Sequence, residues 1–249
     1  MIKFFRSIRQ KGLSEGKTGK YLKYALGEIA LVVIGILIAL QINNWNEDRK
    51  ADKLAKANYL NLLTSLQQDS IKVKQTIESN KIGLDALSKL IPLERNEELL
   101  ALTAEALNQF LYELTLTSRS FMPNSGIYNL LTANKGFDLI QSEAIKSKLI
   151  NLYDYQYKSY LDTDVQIDTK YHNELGSLIK EKIGWVAQYT PEVSIVQNAS
   201  PELFEAHYFE LASESRDIYS TVAFNRNSLI QIQEFINELL SLIRAEIKK

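Results

Sequence analysis

Residues 21–45, YLKYALGEIALVVIGILIALQINNW, restrict this chain more than any other stretch. An apolar run from Ile29 to Leu40 lies between Tyr21 and Tyr24 on one side and Trp45 on the other. A helix needs about 20 residues to cross the hydrocarbon core, and interfacial aromatics mark its two ends. Residues 25–44 supply that length, with Glu28 near one end and Gln41, followed by Asn43 and Asn44, near the other as the strongly polar positions. The expectation is a single transmembrane helix over 21–45. It separates a basic tail, 1–20, from a domain of about 200 residues, 46–249, which is enough for a core.

Charge sets the direction. Residues 1–23 hold seven Lys or Arg against Glu15, a net of +6, and 46–249 hold 22 basic and 28 acidic residues, a net of −6. The positive-inside rule then expects a cytoplasmic N-terminus and an extracytoplasmic C-terminal domain. A cleaved signal peptide is the rival, but the run starts late and Ile-Ala-Leu-Gln-Ile-Asn offers no small-x-small cleavage site. The chain has no cysteine, which removes lipidation, disulfides and thiolate chemistry together.

Residues 27–47, GEIALVVIGILIALQINNWNE, closely resemble the signature of a family of uncharacterised single-pass membrane proteins from Gram-negative bacteria. The basic start MIKFFRSIRQK is similar to the tails of such proteins, and residues 125–140, SGIYNLLTANKGFDLI, are similar to a looser second motif. The resemblance implies an inner-membrane anchor followed by a helical periplasmic region. It brings no activity and no functional residues.

The outer region reads as helix almost throughout. Leu63, Leu66, Ser70, Val73, Ile77, Asn80, Leu84, Leu87 and Ile91 keep 3-4 spacing, with Ser70 and Asn80 as polar interruptions of the kind that fixes register in coiled coils. Pro92 closes this helix, and Asn96 caps a second expected to run to about Thr117. The stretch 118–136 is the most broken, with a short helix near 127–134. A long helix is expected from Ser142 to about Lys182. Thr190-Pro191 and Ser200-Pro201 each look like an N-cap followed by proline. The last helix carries Ile218, Val222, Asn225, Leu229, Ile232, Ile236, Leu239 and Ile243. The fold class expected is all-α, an up-down bundle. No glycine or proline occurs between Gly35 and Gly83, so the membrane helix is expected to continue into the bundle as a stalk.

Candidate sites are sparse. Gly12–Thr18 has three residues between its glycines where a P-loop needs four, so a basic linker is the plainer reading. Met1, Phe4, Phe5 and Ile8 share a helical face suited to the inner leaflet, or belong to a basic tail that only sets orientation. Seven charges held at a membrane do not suit nucleic-acid binding. Glu28 snorkels to the interface, meets a partner or takes part in proton transfer. Gly27, Leu31, Gly35 and Ala39 form one i+4 row that would let a second helix approach. His172 and His207 stand alone, with no HExxH spacing and no Ser-His-Asp set. Asp162, Asp164 and Asp168 lack the glycine and closing glutamate of a calcium loop. Tyr153, Tyr155, Tyr157 and Tyr160 suit helix packing or an aromatic ligand surface. Phe121, Tyr128 and Phe137 are the candidate partner surface, because binding residues concentrate where backbone leaves a rigid scaffold. They would otherwise plug the bundle.

The functional expectation is a non-enzymatic protein with no cofactor. Its partners would be the lipid bilayer and either a second copy or another membrane or periplasmic protein. The alternative is a ligand-sensing domain that signals through its membrane helix to a separate partner.

Overall fold

The computed structural model describes residues 18–134, 136–187 and 198–248, with side chains from Leu22 onward. The amphipathic tail, the glycine-containing stretch 12–17, the side chain of Tyr21 and the expected cap at Thr190-Pro191 lie outside the described residues. No strand occurs among the described residues, so the fold is all-α. The helices are α1 (Thr18–Ser88), α2 (Glu97–Leu100), α3 (Ala104–Thr115), α4 (Gly126–Ala133), α5 (Glu143–Ile150), α6 (Tyr157–Lys170), α7 (Gly176–Leu178), α8 (Pro201–Ala206) and α9 (Tyr208–Ile247).

Helix α1 has 71 residues and is unbroken, as the absence of helix breakers between Gly35 and Gly83 led us to expect. The chain divides into two units near Ala55, and α1 supplies residues to both. In the first unit the helix is long and apolar enough to cross a membrane. Each of the fourteen large apolar or aromatic side chains from Leu22 to Trp45 is 47–68 % exposed. No protein surface covers them.

The second unit is a helical bundle. The long third helix runs from 143 to 183 as α5, α6 and α7, joined and ended by π-helical turns at Asn151–Gln156, Tyr171–Leu175 and Ile179–Ile183. Each wide turn shifts the helical register, so side chains on both sides of it can face inward. Gly184, at φ 73°, ends the run in the left-handed conformation that glycine adopts without strain. Ser200 caps α8 as expected, and Ser142, where a long helix was expected to begin, caps α5.

One helix differs from expectation. The segment from Asn96 to about Thr117 is two helices, because two capping side chains compete for it. Asn96 accepts from the N–H groups of Glu98 and Leu99, and Thr103 accepts from that of Ala106. A second N-cap seven residues after the first restarts the helix at Ala104.

The core has two parts. One packs Leu62, Leu66 and Val73 of α1 against Phe121, Tyr157, Tyr160 and the Leu229–Ile243 stretch of α9. The other packs Leu87 and Leu90 against Phe110, Leu111 and Leu114 of α3, Ile167, Tyr171 and Leu175, and Tyr208, Leu211 and Val222. Between them lies a buried polar layer. Asn80 donates to the Thr117 carbonyl at 3.3 Å, and Asn225 donates to Asp164 at 3.2 Å. Asn80 and Asn225 are 2 % and 1 % exposed, and the Oδ1 of each has no partner. Both asparagines interrupt apolar stripes, so a shift of one turn would bury an amide against hydrocarbon.

The most buried seam of α1, continued past its end by Leu90, is Leu62, Leu66, Asp69, Val73, Thr76, Asn80, Gly83 and Leu87. It shares four positions with the expected stripe. The others move by one residue, because α1 buries two neighbouring faces rather than one. Gly83 sits in this seam for want of space: a Cβ there would lie 2.7 Å from both the Thr117 backbone nitrogen and its Cγ2.

Candidate functional site

The segment 118–125 connects the 3₁₀ turn Leu116–Ser118 to α4 and is held from both sides. From α1, Asp69 accepts from the Asn124 N–H at 3.0 Å, and Ser65 donates to the Asn124 carbonyl at 3.1 Å. From the long helix, the Tyr160 hydroxyl accepts from the Phe121 N–H and donates to Asp164, both at 2.9 Å. Tyr157 donates to the second oxygen of Asp69, also at 2.9 Å. An irregular segment packed into a bundle must find partners for its backbone groups. Here tyrosines and carboxylates supply them.

Burial pushes the Asp69 carboxyl above the ordinary carboxylate range, outweighing its bonds to Asn124 and Tyr157 and the charge of Lys72. Burial does the same to Asp164, against the hydrogen bonds from Ser120, Tyr160 and Asn225. The hydroxyls of Tyr153, Tyr157 and Tyr160 are raised, chiefly by burial, and so stay neutral donors. Asp154 behaves oppositely. Its bond from Tyr128, with Lys158 beside it, holds its carboxyl below the usual range.

The candidate partner surface needs correction. Phe121 is 1 % exposed and Tyr128 5 %, and Phe137 is half-buried. Tyr128 stacks on Tyr153 with centroids 4.4 Å apart, Phe137 meets Tyr128 edge-on at 5.6 Å, and Phe121 meets Tyr157 at 5.5 Å. The three aromatics plug the bundle and present no exposed patch. An isolated broken segment must bury its own rings to be held at all, and the turn residues that suggested exposure gave no sign of this. The tyrosine cluster divides in the same way. Tyr153, Tyr157 and Tyr160 are buried on one face, and Tyr155, on the opposite face, is 69 % exposed.

The row Gly27, Leu31, Gly35 and Ala39 lies on α1 in the first unit. A Cβ at Gly27 or Gly35 would meet nothing within 4 Å. Tyr24, Leu31 and Trp45 are exposed, and the Arg49 guanidinium lies 5.9 Å from the Trp45 ring centre. Glu28 is half-buried. His172 sits on the surface beside Asp168 and His207 beside Glu210, each within 3.1 Å. Among the described residues no cluster of His, Asp and Glu suited to a metal occurs.

Sequence reading missed a pocket of about 450 Å³ in the second unit. Its walls are Lys72, Gln75, Thr76 and Ser79 of α1, Tyr112 of α3, and the run Leu116, Arg119, Ser120, Phe121 and Met122. The only advance signal was that 118–136 is the most broken stretch. Nothing in the sequence placed it beside Lys72.

Residues 28–183 match the model of a family described as a family of unknown function, DUF6090. No curated protein and no solved structure matches the chain.

Proposed function

The chain belongs to the DUF6090 family, whose function is unknown, and from that premise we propose that it is an inner-membrane protein that works by contact. The span is 25–44, the tail is cytoplasmic, and the bundle is periplasmic in a Gram-negative envelope. The bundle binds a partner or scaffolds an assembly. It carries out no catalysis, needs no cofactor and binds no nucleic acid. The lipid bilayer is the first partner, and a second copy or another membrane or periplasmic protein is the next.

One observation carries this reading: fourteen exposed apolar and aromatic side chains, from Leu22 to Trp45, share a helix with a bundle that has buried its own stripes. Apolar surface on that scale needs lipid or another helix. The +6 tail sets the direction. In-membrane crosslinking followed by identification of the crosslinked species tests the contact role. Recovery of one discrete homo- or hetero-complex supports it. A chain that crosslinks to no protein in native membranes contradicts it.

The second reading is a ligand-sensing bundle that signals through α1 to a separate partner. The pocket against α1 favours it, because four of its walls are α1 side chains. Ligand-dependent crosslinking through the membrane helix would separate sensing from constitutive scaffolding.

A further inference from the structure

We propose that the pocket between α1, α3 and the 119–122 segment binds a small organic anion with an aromatic or apolar body. The inference supplies a ligand class for the sensing reading, but binding stands or falls without any signalling.

Charge argues first. The basic residues of the lining are Lys72 and Arg119, and no lining residue is acidic. Asp69 of α1, whose carboxyl feels the Lys72 charge, is not part of the lining, and its two oxygens accept from the Asn124 N–H and the Tyr157 hydroxyl. A guanidinium and an ammonium in one lining suit a carboxylate or phosphate, and the five donors of the guanidinium let it bond an anion in addition to a protein partner.

The remaining lining makes a polar anion alone a poor fit. Leu116 and Phe121, 8 % and 1 % exposed, are the buried apolar part of the lining, and Met122, 65 % exposed, is its open part. Methionine adapts to varied ligand shapes. Gln75, Thr76 and Ser79 of α1 add an amide and two hydroxyls to the lining. A volume of about 450 Å³ is within the range of small-molecule sites, roughly 300–1,000 Å³.

The walls are also held in place. The Arg119 N–H bonds to the Leu116 carbonyl at 3.3 Å, the Phe121 N–H is fixed by Tyr160 and the Asn124 N–H by Asp69, so the segment carrying Arg119 to Met122 is tied at its start, within it and just beyond it. A site tied in this way loses little entropy on binding.

The test uses the full chain in nanodiscs. Its two methionines are Met1 and Met122, so methyl-¹³C-methionine labelling gives two signals, one of them from the open part of the lining. The probes are 3-phenylpropionate, the neutral 3-phenylpropanamide and inorganic phosphate. The proposal expects 3-phenylpropionate to shift the Met122 methyl saturably while Met1 stays still. The amide should bind at least about tenfold more weakly, since one charge-assisted bond is worth about that factor or more, and phosphate likewise, since it keeps the charge but lacks the apolar body, whose burial is worth about as much. Lys72→Gln and Arg119→Gln should each weaken binding about tenfold, Lys72→Arg should restore it, and Lys81→Gln, on exposed α1 surface, should not change it. A motionless Met122 signal overturns the proposal. So does equal binding of the amide or of phosphate, or affinity indifferent to Lys72 and Arg119. Saturable binding that leaves crosslinking through α1 unchanged supports the site and overturns sensing.

Discussion

At the scale of single residues, Asp69 shows how a charged side chain earns a place in this core. It ties the loop to α1 by accepting from Asn124 and Tyr157, and burial still raises its pKa. A carboxyl whose pKa is higher in the folded chain binds its proton more tightly there. Its contribution is complete below the unfolded value, about 3.9, and is lost as pH rises through the folded one. The stability of the native chain relative to Asp69→Asn should therefore fall as pH rises through that window. Urea denaturation of both proteins at several pH values reads this directly, and a difference that grows with pH would be the wrong sign. Phe121→Ala removes a fully buried ring and should cost about 3–5 kcal/mol in the same assay; a ring at a contact surface would cost little. Gly83→Ala should cost about 1–3 kcal/mol, because its Cβ meets the Thr117 backbone rather than a movable side-chain tip. That constraint was hidden in the sequence. Gly83 reads there only as an interruption, since the turn it faces is 33 residues away.

Among the elements, spacing was the most legible signal. The eight stripe positions of α9, Asn225 included, are all buried, and α1 runs unbroken through its glycine-free stretch. Local caps were legible where one side chain decides: Asn96, Ser142 and Ser200 all start helices. Thr103 was missed because threonine within a helical pattern gives no local sign that it will cap. The prediction is that Asn96→Ala and Thr103→Ala each lower stability by about 1 kcal/mol, measured by thermal denaturation. No loss for Thr103→Ala would mean that packing, not the cap, separates α2 from α3. The π-helical turns were not legible either, since they answer the demands of neighbours rather than a sequence rule. In the membrane helix, the open Gly35/Ala39 face predicts that replacing both with Ile weakens crosslinked assembly in native membranes. Unchanged assembly would assign that face to lipid.

For the whole molecule, the sequence carried the fold class and the candidate span, because both rest on periodicity and run length. It did not carry the pocket, the polar layer or the burial of the 121–137 aromatics, because each depends on residues far apart in the chain. Lys72 and Arg119, or Asp164 and Asn225, meet only once the helices pack. The central claim is that α1 passes through a membrane, leaving the basic tail inside and the bundle outside. A chain without cysteine allows that to be read against no background. Single cysteines at Ser14 and at Lys81, the latter on an exposed face of α1, are treated with a membrane-impermeant maleimide in spheroplasts. The account predicts labelling of the Lys81→Cys protein at once and of the Ser14→Cys protein only after lysis. Labelling of Ser14→Cys in intact spheroplasts, or protection of Lys81→Cys, would contradict it.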